Sequence, residues 1–437
     1  MRHLLPASLL LLSLPSAMAQ SAIPTAVPIA PKAPALMTLH DLNAAEPLGE
    51  DLYENSGATG MVLVVVRGNQ AWFHGYGETA VGSQTVPAED SVVRLCSLTK
   101  TFTADILAKL AAEGVVHLDD PLVKFAPKDI VLPEWDTPIT LEELATHTSG
   151  LTREIGTAPR RTPHFTYPDY DTRWHWLESA ELKFTPGTQG FYSNVGFDLL
   201  SDALASATRT SYATLLETRT LKPLQMWQTT FYPSATECAR LLQGAHNEGP
   251  CTNTNNTEGS SGLYSTPTDM AKWLGYLLNT GTPALPAEAA DTRAFYLLPS
   301  SLTRQYGLDH AGRPTAIGLG WILLGANTDA SHIIEKTGGG GGFTTYIAIH
   351  PASHTALFLA VTDGPHGWHP GFNLFKASNN ALLALAGLPP LPQEPMRRIT
   401  RRRHARTPRL VRARQTGRAR AVRVSQQGDA SGSESEH

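Results

Sequence analysis

The stretch Arg94-Leu-Cys-Ser-Leu-Thr-Lys-Thr-Phe102 carries a serine, Ser97, three residues ahead of a lysine, Lys100. Behind it, Leu98, Phe102, Ile106 and Leu110 recur every four residues, which predicts an amphipathic helix ending near Gly114. Ser97 and Lys100 stand at the start of that helix, where a spacing of three puts two side chains on one face. A serine hydroxyl becomes a nucleophile when a neighbour takes its proton, and a lysine does this only with a lowered pKa. The positive end of the helix, burial and a second cation each push in that direction. Alone, Ser-x-x-Lys is a short and common pattern, and its weight depends on what the rest of the chain supplies.

Upstream, after a helix containing Leu36 to Leu52, GMVLVVVRGNQAWFHGYGE (60–78) reads as two strands joined by a tight turn at Gly68-Asn69. Downstream, TPITLEELATHTSGL (137–151) offers Thr140 and Glu143 as a capping box and Gly150 as a helix stop. The chain to about Asn279 is mostly helix and loop, with a helix in TPTDMAKWLGYLLN (266–279). Strand signals return in IGLGWILLG, HIIEKTGG, GFTTYIAIH and TALFLAVTDG, and FNLFKASNNALLALAG (372–387) closes on a helical pattern. Strands at both ends with helices between them predict an α+β fold. One antiparallel sheet is assembled from distant segments and covered by the terminal helices, with a mainly helical subdomain inserted between. The cleft between sheet and insert is the natural place for a site.

Two further motifs fall where such a cleft would be. Tyr192-Ser193-Asn194 lies on a loop framed by Pro186-Gly187 and Gly190 that runs into a helix. A phenol can shuttle a proton, and a carboxamide both donates to and accepts from a substrate amide. Tyr53-Glu54-Asn55 has the same pattern ahead of the first strand, without the glycine frame, and reads as structural. Lys336-Thr337-Gly338, continuing into Gly339–Gly342, falls at a strand edge. A lysine and a threonine hydroxyl pointing one way from that strand would hold a carboxylate, while glycines let a peptide lie against the backbone. Backbone N–H groups of Ser97 and Gly339 would form an oxyanion hole.

In the order Ser-x-x-Lys, Tyr-x-Asn, Lys-Thr-Gly, the three motifs resemble the penicillin-recognising serine enzymes, especially class C β-lactamases and low-molecular-weight D-alanyl-D-alanine peptidases. THTSGL (146–151), GLYSTPTDM (262–270) and GLGW (318–321) extend the likeness, which runs from about Gly57 to Gly387. SGATGMVLVV, DSVVRLCSLTK, the Cys238/Cys251 pair and KTGGGGGF resemble most the periplasmic D-alanyl-D-alanine carboxypeptidase/endopeptidases related to class C β-lactamases. That resemblance implies a β-lactamase/transpeptidase-like fold, a periplasmic location, peptidoglycan muropeptides as substrate and β-lactams as acylating ligands. It assigns Ser97, Lys100 and Tyr192 to catalysis and Asn194, Lys336, Thr337, Gly338 and Gly339 to substrate binding, with no metal and no organic cofactor. A β-lactamase or esterase on the same fold, and a non-catalytic penicillin or cell-wall sensor, are the alternatives. Class C β-lactamases usually carry Ser or Ala after Lys-Thr-Gly, where this chain has Gly339, and the more open strand edge suits a branched peptide.

The remaining sequence sets the frame. With 437 residues, 41% of them hydrophobic, the chain can bury a large core. Residues 1–19 read as an export signal, with Arg2, an apolar run from Leu4 to Leu14 and Ala17-Met18-Ala19 before the cut, and 20–36 as a Pro/Ala-rich flexible segment. Residues 37–390 would be the catalytic domain, and 391–437 a Pro linker with an Arg-rich disordered tail. The net charge of −4 conceals a segregation, because the tail holds many arginines and few acids while the body is acidic. The tail suits contact with an anionic surface, and no nucleic acid is expected. In an oxidising compartment Cys238 and Cys251, close in sequence, favour a bridge that closes a loop worth about 3 kcal/mol in the chain-entropy model. Cys96 reads as a small buried core residue. No Gly-x-Ser-x-Gly elbow, P-loop spacing or zincin histidine pair occurs. His350/His354 and His366/His369 read as solvated loop histidines, and His147 as a structural residue near a helix end.

Overall fold

The run Met61–Val66 is apolar at every position, too continuous for a strand with one wet face. In the computed structural model, which describes residues 44–246, 249–278, 295–308, 310–325, 332–367 and 369–391, this run forms strand β1 (Gly60–Arg67). Its side chains alternate between two cores. Val62, Val64 and Val66 join one, Met61, Leu63 and Val65 the other, and all are 3% exposed or less. Burying each such side chain is worth roughly 1.5–3 kcal/mol, so a polar residue at any of these positions would be costly on either face.

β1 turns through Gly68, at φ 55°, into β2 (Gln70–Gly77). The late strands complete the layer: β6 (Phe295–Leu297), β8 (Ala316–Gly318), β9 (Ile322–Leu324), β10 (Ile333–Gly340), β11 (Phe343–His350) and β12 (Thr355–Thr362). The sheet has eight strands in the order β2-β1-β12-β11-β10-β9-β8-β6, all antiparallel. IGLGWILLG divides into two strands, β8 and β9, around Gly320 at φ 70°. Two short pairs lie outside the sheet: β3 (Val93–Arg94) with β5 (Tyr264–Ser265), and β4 (Gln189–Phe191) parallel to β7 (Arg304–Tyr306).

One face of the sheet is covered by α1 (Ala45–Ser56) and the closing helix Leu374–Leu385, whose Asn379 accepts a 2.6 Å bond from the Tyr346 hydroxyl. The other face carries α2 (Thr99–Ala112), α3 (Leu141–Ala145), α4 (Tyr170–Leu177), α5 (Asn194–Thr208), α6 (Tyr212–Leu216), α7 (Ala235–Cys238) and α8 (Pro267–Leu278) with their connecting loops. α2 ends as predicted, with Gly114 at φ 69°. The Thr140–Glu143 capping box forms, but α3 stops at Ala145 rather than at Gly150. The reason lies at His147, which enters the left-handed region at φ 60° and cannot continue a helix. Among the described residues the first helix runs from Ala45, and the predicted stretch from Leu36 to Asn43 lies outside them. Residues 1–43, with the export signal read at 1–19 and the whole 20–36 segment, and the tail from 392 lie outside the described residues.

Candidate active site

Ser97 sits in a 3-10 turn, Cys96–Leu98, that leads directly into α2. The turn is fixed from two sides. The Leu95 amide donates to the Leu263 carbonyl at 2.8 Å, and the Thr345 hydroxyl on β11 donates to the Leu95 carbonyl at 2.9 Å. Cys96, a non-glycine residue held at φ 51°, carries backbone strain of order 1 kcal/mol beside the serine. Its side chain is fully buried and free, and burial pushes the thiol up to about 12, so it is a core residue and no nucleophile.

Lys100 follows one turn along the same helix face, fully buried, with its Nζ 3.2 Å from Ser97 Oγ. The same nitrogen donates to Asn194 Oδ1 at 2.6 Å and to the Ser260 carbonyl at 2.9 Å. Burial lowers the Lys100 pKa, Tyr192 opposes that, and the charge of Lys336 adds to the lowering. Tyr192 comes from the loop after β4, where its amide donates to Tyr306 of β7, and its hydroxyl donates to Ser97 Oγ at 2.7 Å. Burial raises the Tyr192 phenol, but Lys100 and Lys336 outweigh it and leave the pKa below the usual tyrosine value. Ser193 caps α5 by accepting from Gly196, which aims Asn194 back at the lysine. A carboxylate can only accept, so Glu154 fixes the Asn194 amide in one orientation: Nδ2 on Glu154, Oδ1 on Lys100.

Beneath Tyr192 lies His147, its ring 4.4 Å away, with Nδ1 accepting from the Ser193 amide at 3.2 Å. Burial, then the charges of Lys100, Lys336 and Arg153, lower its pKa well below the ordinary value, so the imidazole is neutral with its proton on Nε2. That is a packing support for the phenol.

The third motif arrives on β10. Lys336 is 2% exposed and its Nζ lies 5.3 Å from the centre of the Tyr192 ring. Gly338 touches the nucleophile's turn: a Cβ there would lie 2.9 Å from the Leu95 carbonyl and 3.1 Å from Ser97 N. The sequence expectation that Lys336 and Thr337 point one way is corrected by the register. Lys336 pairs with Ile347 in the first core, whereas Thr337 pairs with Tyr346 on the opposite face, as strand alternation demands. The pairing of β10 with β9 ends at Glu335–Ile322, so among the described residues Lys336–Gly340 keeps a strand partner on the β11 side only. Thr337 and Gly339 lie along that edge. The glycine turn beyond is walled by Phe165 and Arg94, which a Cβ on Gly340 or Gly341 would meet within 3.4 Å. Arg94 also donates to the Pro250 carbonyl at 3.0 Å and so ties down the loop closed by the Cys238–Cys251 disulfide, which the structure contains.

The arrangement thus gathers Ser97 and Lys100, Tyr192 and Asn194, and Lys336 from three separate segments of the chain into one site. A β-lactamase family model matches residues 45–371. The chain belongs to the Beta-lactamase family. Among its relatives, the D-alanyl-D-alanine-carboxypeptidase/endopeptidase AmpH of Escherichia coli (strain K12) is 40% identical over 368 residues, 81% of this chain and 95% of that protein. A solved Beta-lactamase/D-alanine carboxypeptidase from Yersinia pestis, complexed with citrate, has 39% identity and a TM-score of 0.75 over 79% of this chain and 98% of its own. A class C beta lactamase from Rhodobacter sphaeroides, at 21% identity, shares the fold with a TM-score of 0.60 over 79% of this chain and 99% of its own. Within this family member, sequence reasoning missed Ser260, Glu154 and Asp198. Ser260 sits in a glycine-framed GSSG that signals a tight turn but no contact, and Glu154 and Asp198 carry no local signature.

Proposed function

We propose that the chain is a serine D-alanyl-D-alanine carboxypeptidase and endopeptidase that acts on peptidoglycan stem peptides and cross-links through an acyl-enzyme on Ser97. The observation that carries this reading is the hydrogen bonding of Lys100. A neutral amine has two N–H bonds and one lone pair. Two of its three neighbours, Asn194 Oδ1 and the Ser260 carbonyl, only accept, so with both N–H bonds used the lone pair faces Ser97 Oγ.

In this reading Ser97 Oγ attacks the carbonyl of the penultimate D-Ala while its proton passes to Lys100. The oxyanion is held by the backbone N–H groups of Ser97 and Gly339. Tyr192 then relays a proton to the leaving amine, and the C–N bond breaks to release D-Ala. In the second half, water attacks the ester, loses its proton to the same pair and frees Ser97. Asn194 orients the acyl amide. The terminal carboxylate lies along the β10 edge, where Lys336 supplies charge from one side of the strand and Thr337 a hydroxyl from the other. A D-alanyl-diaminopimelate cross-link offers the same carbonyl and an equivalent carboxylate, which gives endopeptidase action. The names of the relatives from E. coli and Y. pestis support this choice of substrate, and β-lactams would acylate the same serine. The same reading takes residues 1–19 as an export signal and places the enzyme in the periplasm, where the Cys238–Cys251 bond persists. Purified sacculi digested with wild type and with Ser97→Ala test it. Release of D-Ala and loss of cross-links are expected from wild type alone, and equal release by both proteins refutes the mechanism.

A further inference from the structure

Behind Lys100 the protein buries more charge than the reaction just described uses. Asp198, one helical turn after Asn194 on α5, is 1% exposed, and its Oδ1 meets no hydrogen-bond donor. Its Oδ2 accepts from the Ser260 hydroxyl at 3.1 Å, and it is the carbonyl of that same Ser260 that accepts from Lys100 Nζ at 2.9 Å. A single residue therefore bridges carboxylate and amine, and both lie inside the core.

The other groups facing Asp198 come from every element around it. Arg173 on α4 is committed in a bidentate pair to Asp202, with both oxygens at 2.6 Å, and Trp174 donates to Asp202 at 2.9 Å. Glu258 lies in the loop before Ser260, and Tyr212 on α6 is tied to Thr103 at 2.8 Å. Arg173 is the larger charge acting on Asp198, but its hydrogen bonds go to Asp202, Pro168 and Asn256, whereas Lys100 is joined to Asp198 through Ser260. Burial, partly opposed by Arg173 and then Lys100, pushes Asp198 up to about 7, and burial with Asp202 pushes Glu258 up to about 8.

We propose that Asp198, acting through Ser260, is a positioning residue that sets the proton affinity of Lys100, holding the amine basic enough to take the Ser97 proton despite its burial beside Lys336. The inference rests on the reading of Lys100 as proton acceptor. During acylation the proton moves from Ser97 Oγ to Lys100 Nζ, and the ammonium so formed gains its counter-charge from Asp198, which is ionised from about pH 7 upward. On expulsion of the amine, the proton leaves through Tyr192. Without that charge Lys100 would lose its proton at lower pH and be a weaker base.

The test is the second-order rate of labelling by a fluorescent penicillin between pH 5 and 9 in wild type, Asp198→Asn and Ser97→Ala. Asn keeps the shape and can still accept from Ser260. The expected result is that, from about pH 7 upward where Asp198 is ionised, the limb set by Lys100 moves to lower pH by about one unit and the plateau falls several-fold. If Asn is not accommodated, Asp198→Ser removes the same charge with less volume, and thermal unfolding reports which variant is folded. A folded variant whose plateau drops while its limb superimposes on wild type marks a structural role and overturns the proposal, leaving the nucleophile reading intact. Labelling of Ser97→Ala overturns the nucleophile reading, and this inference with it.

Discussion

Neighbouring glycines on β10 should respond in opposite ways to the same methyl group. At Gly338 a new Cβ would sit 2.2 Å from Thr345 Oγ1, 2.9 Å from the Leu95 carbonyl and 3.1 Å from Ser97 N. Thr345 cannot swing aside without breaking its 2.9 Å bond to Leu95, and the other two atoms are backbone of the nucleophile's turn. Relief therefore has to come from moving that turn away from β10. Overpacking of this kind costs about 1–3 kcal/mol. Displacing Ser97 N should cost as much as losing an oxyanion donor, about 10²–10³-fold in acylation. At Gly339 the nearest atom is the Phe343 carbonyl, 3.9 Å away, and the backbone is one that L residues adopt. Gly339→Ala should match or exceed wild-type stability, by up to about 1 kcal/mol, because it restricts the unfolded chain. Its acylation rate should stay within a few-fold of wild type. Urea unfolding and the rate of penicillin labelling measure both effects. Gly338→Ala labelling at wild-type speed, or Gly339→Ala losing as much as Gly338→Ala, would refute the placement of β10 against the Ser97 turn.

Arg173→Leu should destabilise the fold by about 3–5 kcal/mol in urea unfolding, because it leaves Asp202 buried without its bidentate partner, and adding Asp202→Asn should recover part of the loss. Stability should also depend on Asp198 between about pH 4 and 7. Its folded pKa of about 7 lies above the ordinary aspartate value of 3.8, so its contribution is complete below about pH 4 and is lost as pH rises through 7. A shift of about three units corresponds to at most about 4 kcal/mol. Lys100, with a lowered pKa, acts with the opposite sign toward high pH, so the difference between wild type and Asp198→Asn between pH 5 and 8.5 isolates the carboxyl. Parallel stability curves for the two proteins would contradict its burial as an acid.

Much of this site was legible because its parts announce themselves locally. Ser97 and Lys100 need only the helix that Leu98, Phe102, Ile106 and Leu110 specify, and Asn194 needs only the cap that Ser193 provides. The sheet was legible for a similar reason: β1 from Met61 to Val66 and β12 from Ala356 to Val361 are apolar runs, and such runs bury on two faces. What escaped was set by partners far along the chain. The Thr337 orientation follows from which β11 residue it opposes, and the pleat overrules the guess that adjacent side chains cooperate from one face. The early end of α3 comes from His147, whose left-handed backbone goes with its buried place under Tyr192 and is foreshadowed by no glycine. Ser260 and Asp198 matter through one hydrogen bond between segments some sixty residues apart, and no short pattern encodes that.

The strand that carries Lys336 is zipped to β11 from Ile334 to Gly340 but leaves β9 after Glu335. A row of main-chain groups therefore lines the mouth of the cleft, and an extended guest can complete the layer there as a short guest strand. Selection then begins with shape, before any side chain is read. On the proposed reading, a stem that can straighten and offer its own amides in sequence would be admitted, while a coiled or proline-stiffened one would fail to dock.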